Sequence, residues 1–448
     1  MATKLRWWPR FLLILSLFFR VRQTAALQYT ESHQPYAVDH ALGVHPVVLL
    51  PGNTCSQIEA RLTDAYEPPS AFCAARKGDG RWSLLWKNIT APDAEVPCFA
   101  DQLRLVYDQA AGDYGNAPGV ETRAVSFGST RGFLADDPEP LMSELCMGKL
   151  VEALEREGYR DGETLFGASY DFRHAPAPAG QANRELSLFR RRLRALVERA
   201  SRANGGKPVI LVSHSQGGYF ALDFLRWSPL PWSRRFVKHF VMASTGAGGF
   251  VLSMQGLAAS IISSSSSVSS PAPADVLSLP SVGRTFASTF TALPSPIAFR
   301  DDTPLVVTRN RSYAARDMPA FLAAAGQPPY SVQLYETRAL PVAVNLGAPV
   351  VPVTCVNGGG VPTPERLLFR DGRRNAPEVV YGDGDGVVNL ASILALDEVI
   401  GGDPMQEYYK SVRIANMSHL GVVSDSTALQ RLIGEILVAT RAVDSRVM

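Results

Sequence analysis

The sequence predicts an α/β fold, a parallel sheet with helices on both faces, and three observations carry that reading. Short β-branched runs alternate with helical patterns along most of the chain. One of those runs ends in a serine flanked by small residues, and a helical pattern begins immediately after it. Strand and helix in strict alternation favour a sheet buried on both sides.

Taken in order, residues 46–50 form a short apolar run that stops at Pro51-Gly52 and read as a buried strand. A second strand is expected at 122–126. Apolar residues at helical spacing predict helices over 145–157 and 186–200. Residues 207–213 are the strongest strand, followed by a helix at 216–226. Further strands are expected near 236–243, 350–355, 377–381 and 409–415, and an amphipathic helix over 426–441 closes the pattern.

Two stretches interrupt the alternation. Residues 61–105 hold an excursion flanked by Cys73 and Cys98, with Trp82, Leu84, Leu85 and Trp86 close together. Residues 246–300 are rich in Gly, Ser, Ala and Pro, with an unbroken serine run at 263–267. Such a composition is expected to pack no core of its own and to form a mobile loop; placed in a compact domain, it reads as a lid over a site. The lid or cap insertion is taken to extend over about 246–345.

Composition narrows the class. The 448 residues are 46% hydrophobic and 19% charged, enough apolar material for a large core. A formal net charge of +2 provides no domain-wide basic excess, which argues against nucleic acid as a partner. Lys4, Arg6 and Arg10 precede an apolar run at 11–19, and Ala25-Ala26 follows, so residues 1–26 read as a signal peptide and 27–448 as the mature domain. This predicts the secretory pathway, with a secreted or vacuolar destination; Arg20 and Arg22 keep open the alternative of an uncleaved membrane anchor. Of the five cysteines, Cys73 and Cys98 are the natural pair, and an odd count leaves at least one of Cys55, Cys146 and Cys355 free. Glycosylation sequons at Asn88 and Asn310 sit in polar stretches suited to use, whereas a third, at Asn416, lies beside a candidate catalytic residue. No spacing of the CxxC or HExxH type occurs, and no metal or other cofactor is expected.

The chemistry is carried by Ser213-His214-Ser215-Gln216-Gly217, a nucleophile elbow of the G-x-S-x-G type with serine in the first glycine position. A backbone turning sharply from strand into helix leaves no room for large side chains two residues either side of the nucleophile, and Ser213 and Gly217 meet that need. With the preceding strand and following helix, this specifies the α/β-hydrolase fold with Ser215 as candidate nucleophile. A serine hydroxyl needs a base. Only His239 and His419 follow Ser215; His239 opens a strand, while His419 follows the last one, close to the C-terminus, where the base is expected. A carboxylate that orients the base should lie between, just after a strand, where Asp383 and Asp385 compete. The same segment imitates a calcium loop, but Val387 occupies a ligand position. Two backbone donors are expected for an oxyanion: the amide of Gln216 and, in the turn after the first strand, that of Asn53.

Several motifs in order then resemble the lecithin:cholesterol acyltransferase family. They are the opening strand with Gln57-Ile58-Glu59-Ala60, the stretches 116–120 and 126–130, Tyr170-Asp171-Phe172-Arg173, the elbow, residues 360–364 and Gly384-Asp385-Gly386. The resemblance runs from about His45 to Leu437. It implies that Asp385 is the acid, His419 the base, and Asn53 and Gln216 the oxyanion donors. It also implies that the Cys73–Cys98 bridge closes a membrane-binding loop in which Trp86 contacts lipid, with Trp82 nearby, and that the serine-rich stretch belongs to an active-site lid. The activity implied is acyl transfer from a glycerophospholipid at a membrane surface to a sterol or other lipid alcohol, or to water. A catalytically silent lipid-binding protein and a soluble esterase are the competing classes. Two departures stand out: Val387 replaces the family's threonine after the acid, and the position that would pair with Cys355 is Leu396.

Overall fold

The computed structural model describes residues 44–86, 96–133, 146–263, 282–369 and 377–441. Six strands form the central sheet: β1 (Val47–Leu50), β2 (Leu165–Gly167), β3 (Val209–His214), β4 (Val237–Ala243), β5 (Val353–Gly359) and β6 (Tyr409–Ala415). Their spatial order is β6-β5-β4-β3-β1-β2, with every neighbour parallel. β1 pairs Val47 with Leu165 on one side and with Ile210 on the other. Because both faces are covered, β1 and the first four residues of β3 are apolar throughout rather than alternating.

The period of two divides those runs between two cores. Val48, Leu50, Val209 and Leu211 face one hydrophobic cluster; Val47, Leu49, Ile210 and Val212 face the other. The first is covered by helices α2 (Arg184–Ala203) and α3 (Gly217–Trp227), the second by α1 (Gly148–Arg156) and α5 (Ser426–Arg441). Helix α2 shows why: Leu186, Phe189, Leu193, Val197 and Ala200 recur at helical spacing and are buried, while its arginines take the outer face. Asn183 starts that helix by accepting from the amide of Leu186 at 3.1 Å.

Two expected strands form outside the central sheet. The one expected at 122–126 is Val120–Ala124, antiparallel to Ile58–Leu62 in a three-stranded sheet that also holds Ser83–Trp86. The one expected at 377–381 is Glu378–Gly382, antiparallel to Thr363–Phe369 in a four-stranded sheet. Both lie beside strands that no local pattern distinguished from core strands. β2, three residues long, went unread in the sequence.

Residues 246–300 also differ from expectation. Helix α4 (Val251–Ser263) buries Val251, Met254, Leu257 and Ala258, and Phe290, Leu293 and Phe299 join them in a third cluster. Their partners are distant in sequence: Leu305, Phe321, Tyr335, Leu367 and Phe369. The segment packs a core because residues 305–369 supply the other half of it, which local composition could not reveal. The serine run from residue 264 onward lies outside the described residues, as do the signal-peptide segment 1–26 and Asn88. Arg338, within a π-helical turn at Tyr335–Ala339, reaches from this layer into the body and donates to the carbonyls of Gly112 and Ala182 at 2.8 Å each.

Two disulfides form, Cys73–Cys98 as expected and Cys55–Cys146, which leaves Cys355 free and buried. Leu396 packs with Cys355 in the first core cluster. No helix of the described residues is long and apolar enough to cross a membrane.

Candidate active site

At the carboxyl end of β3 the chain turns into α3 through Ser215, whose φ is +52°. A non-glycine residue held in this region costs about 1–3 kcal/mol, and such strain concentrates at functional sites. Its amide donates to the Ala243 carbonyl on β4 at 2.9 Å, which pins the turn. Gly217 is required here: a Cβ would lie 2.4 Å from the Leu50 carbonyl oxygen and 2.6 Å from that of Pro51. The elbow therefore seats its helix directly on the end of β1.

His419 stands in the loop after β6 and Asp385 in the turn after Glu378–Gly382. Their side chains meet, with His419 Nδ1 2.9 Å from Asp385 Oδ2, and the amide of His419 donates to the Asp385 carbonyl at 2.7 Å. The other carboxylate oxygen accepts from the amides of Val388 at 2.7 Å and Val387 at 3.0 Å. Burial raises the Asp385 carboxyl, but the His419 ring and these amides outweigh it and hold the group below its ordinary value. Of the two competing aspartates, Asp385 is fully buried against the imidazole, whereas Asp383 is exposed and its carboxylate accepts from the Gly360 amide at 2.7 Å. Loss of the family's threonine hydroxyl at Val387 leaves the amides in place. Thr363 supports the same turn by accepting from the Gly386 amide at 2.8 Å.

The base loop lies against the elbow. The rings of His214 and His419 are 4.9 Å apart, and His214 Nε2 is 3.1 Å from the His419 carbonyl oxygen. The turn at Gly52 and Asn53 closes another side, since a Cβ on Gly52 would lie 3.4 Å from that of Ser215. Neither Asn53 nor Gln216 donates its amide to another backbone group among the described turns and loops. Two backbone donors are thus open beside the candidate nucleophile. His239, by contrast, is buried with Nε2 2.8 Å from Thr354 Oγ1, a satisfied structural histidine.

Sequence reasoning gave no role to Tyr170-Asp171-Phe172-Arg173, and the structure makes it a strut. Tyr170 donates its phenol to the Pro51 carbonyl at 2.6 Å, and Phe172 accepts from the Gln216 side chain at 2.8 Å. Arg173 is wholly buried; it donates to Asp171 at 2.8 Å, to Asn116 at 2.8 Å and to the Leu103 carbonyl at 2.9 Å. Burial alone would raise the Asp171 carboxyl, yet Arg173 brings it down to about 2. A buried Arg beside an Asp two residues away was the available signal.

The two tryptophans sit differently from a pair of exposed anchors. Trp86 is half-buried, donates to the Thr54 carbonyl at 2.7 Å and packs on Phe172 at 5.4 Å, so it lines the rim of the oxyanion turn. Trp82 is contacted by the guanidinium groups of Arg123 at 4.3 Å and Arg61 at 5.0 Å. Among the described residues of the excursion, the large apolar side chains that face outward are Phe72, 60% exposed, and Leu84, 38% exposed. Asn310 is exposed in the turn between Val306–Thr308 and Ser312–Tyr313.

Comparison with known proteins identifies the family. A sequence profile of the lecithin:cholesterol acyltransferase family matches residues 82–327, which include the elbow. The chain is 42% identical to lecithin-cholesterol acyltransferase-like 1 of Oryza sativa subsp. japonica over 404 residues, 90% of this chain and 88% of the relative. It is 39% identical to the protein of the same name in Arabidopsis thaliana, over 88% of this chain and 90% of the relative. The lysosomal phospholipase A and acyltransferase of Canis lupus familiaris is 29% identical over 86% of this chain and 90% of its own length. An α/β-hydrolase sheet with an elbow, a buried acid–imidazole pair and two open amides is joined here to near full-length similarity, and the chain belongs to the lecithin:cholesterol acyltransferase family.

Proposed function

We propose that the protein is a lipid O-acyltransferase that moves a fatty acyl group from a glycerophospholipid to a sterol or other lipid alcohol through an acyl-enzyme on Ser215. The observation that carries the reading is the buried Asp385–His419 pair packed against the elbow. Ser215 Oγ attacks the ester carbonyl while the free nitrogen of His419 takes its proton; Asp385 holds the imidazole in the tautomer able to do so. The amides of Asn53 and Gln216 receive the developing oxyanion. Collapse breaks the ester bond, and His419 returns the proton to the departing lysophospholipid oxygen. An acceptor alcohol then gives its proton to His419 and attacks the acyl-serine, which releases a new ester and restores the hydroxyl.

Water in place of the alcohol makes the same site a phospholipase A. The similarity to a relative named for both activities favours keeping this second outcome. Exclusion of water from the acyl-enzyme decides between them, and on this reading the lid insertion over about 246–345 supplies it. Phe72 and Leu84 supply exposed apolar surface for docking on a phospholipid membrane, and Trp86 donates to Thr54 beside the Gly52–Asn53 turn. The N-terminal segment and the two disulfides support a secreted or vacuolar location.

The deciding experiment uses vesicles of phosphatidylcholine labelled in the acyl chain, with and without a sterol or a long-chain alcohol. Label is expected in the new ester when acceptor is present and in free fatty acid when it is not, with both products lost in Ser215→Ala. Neither product from wild-type enzyme, with no labelling of Ser215 by a fluorophosphonate, would overturn the proposal.

A further inference from the structure

The residue before the candidate nucleophile is buried and polar. His214 is 1% exposed and ends β3, with its ring between the His419 loop and the turn at Gly52. Nε2 lies 3.1 Å from the carbonyl oxygen of His419. A carbonyl only accepts, so this nitrogen carries the proton. Nδ1 is left as a bare lone pair, buried and with no hydrogen-bond partner among the described residues, facing the turn at Gly52, where a Cβ would lie 3.0 Å from it. The ring also stands 4.9 Å from the ring of His419, tilted by 45°. A buried polar nitrogen normally has a hydrogen-bond partner, as His239 Nε2 has in Thr354 Oγ1 at 2.8 Å. His214 satisfies only the nitrogen that touches the base loop.

We infer that His214 is a positioning residue: its neutral Nε2–H tautomer grips the backbone of His419 and sets the spacing between the elbow, the base and the oxyanion turn. This rests on the reading of Ser215, Asp385 and His419 as the triad. The charge state agrees with the geometry. Burial, helped by His419 nearby, brings the His214 ring down to about 3, although the bond to the His419 carbonyl and the charge of Asp385 pull the other way. The ring therefore stays uncharged while His419 gains and loses a proton, so no second positive charge opposes the imidazolium formed during acyl transfer. Removing the donor frees the base loop, and displacements of an ångström or less in reacting groups reduce turnover steeply.

The test combines kinetics on a soluble p-nitrophenyl ester with nitrogen NMR of enzyme labelled in its histidines. His214→Phe keeps the ring volume but has no donor; its kcat is expected to fall about 10- to 100-fold with KM within about twofold. His214→Gln, whose amide nitrogen can reach the same carbonyl, is expected to recover to within a few-fold of wild type. In the wild-type protein the His214 signals should show the Nε2–H tautomer, unchanged between pH 4.5 and 8. A His214→Phe enzyme with wild-type kcat, or a His214 resonance that titrates in that range or shows Nδ1–H, overturns the inference; the NMR result stands even if the variants fail to fold. Ser215→Ala assayed in parallel separates the two levels. If it is inactive while His214→Phe is normal, only the positioning role fails; if it remains active, the triad reading fails as well.

Discussion

The phenol of Tyr170 donates to the carbonyl of Pro51 at 2.6 Å, and through that bond the fully buried strut at 170–173 holds the turn that presents Asn53. Packing fixes the ring independently: it stacks on Phe220 of α3 at 3.9 Å and meets Phe189 edge-on at 5.8 Å. Tyr170→Phe therefore removes the hydrogen bond and little else. The orphaned carbonyl is expected to lower stability by about 1–3 kcal/mol. The freed turn is expected to reduce kcat about tenfold. Thermal unfolding and ester hydrolysis measured together check this; a variant with lowered stability and full kcat would make Tyr170 a core residue only.

Gly52 lies at the same turn, and its lack of a side chain is what admits the nucleophile. In Gly52→Ala the new methyl would be 3.0 Å from His214 Nδ1 and 3.4 Å from the Ser215 Cβ, so the turn must retreat by a few tenths of an ångström. That moves the Asn53 amide off the oxyanion. Loss of one such donor lowers kcat by about 10²–10³-fold in serine hydrolases. The same range is expected here, with normal expression and a small change in KM; kcat within threefold of wild type would remove the Asn53 turn from the oxyanion site.

Asp383 and Asp385 are two residues apart and differ in every physical respect that matters to a triad. Asp385 Oδ1 accepts from the Val387 and Val388 amides, which leaves Oδ2 for His419. In Asp385→Asn the amide oxygen must keep facing those backbone donors, so the new NH2 faces His419 Nδ1 and donates to it. That puts the imidazole proton on the nitrogen that should accept from Ser215. A loss of about 10³–10⁴-fold in kcat is expected, against a few-fold or less for Asp383→Asn, whose carboxylate only caps Gly360. Equal losses in the two variants would undo the assignment.

Much of this site was legible in the residues because its demands are local. The elbow needs small side chains at 213 and 217, and the apolar runs of β3 and α3 on either side leave no other reading. The central strands were legible for the same reason, since strands buried on both faces are apolar throughout. What stayed hidden depends on distant partners. Asp383 and Asp385 look alike in sequence, and only the family resemblance separated them before burial did. The third core was hidden because Val251 and Phe290 find Phe321 and Leu367 far along the chain. Trp82 read as an exposed aromatic, and nothing in its neighbourhood announced its contacts with Arg61 and Arg123. The strut at 170–173 was recognised as a motif but not as a mechanism, because its targets, Pro51 and Gln216, belong to two other loops.

Asp223 gives a pH dependence of stability that is separable from catalysis. It lies on α3, 8% exposed, with Arg190 3.6 Å away. Burial raises its carboxyl to about 6 although Arg190 and Arg226 draw it down. In the unfolded chain the group titrates near 3.8. Between these values the folded protein holds a proton that the unfolded chain has released, so stability falls as pH rises from about 3.8 to about 6 and stays lower above that. Asn at this position does not titrate. Asp223→Asn should therefore match wild type near pH 3.5 and exceed it near pH 7, by at most about 3 kcal/mol as an order of magnitude. Thermal unfolding of both proteins at the two pH values, with ester hydrolysis unchanged, checks the sign. A difference that is constant with pH, or larger in acid, would show that the Arg190 pair, rather than burial, sets the state of Asp223.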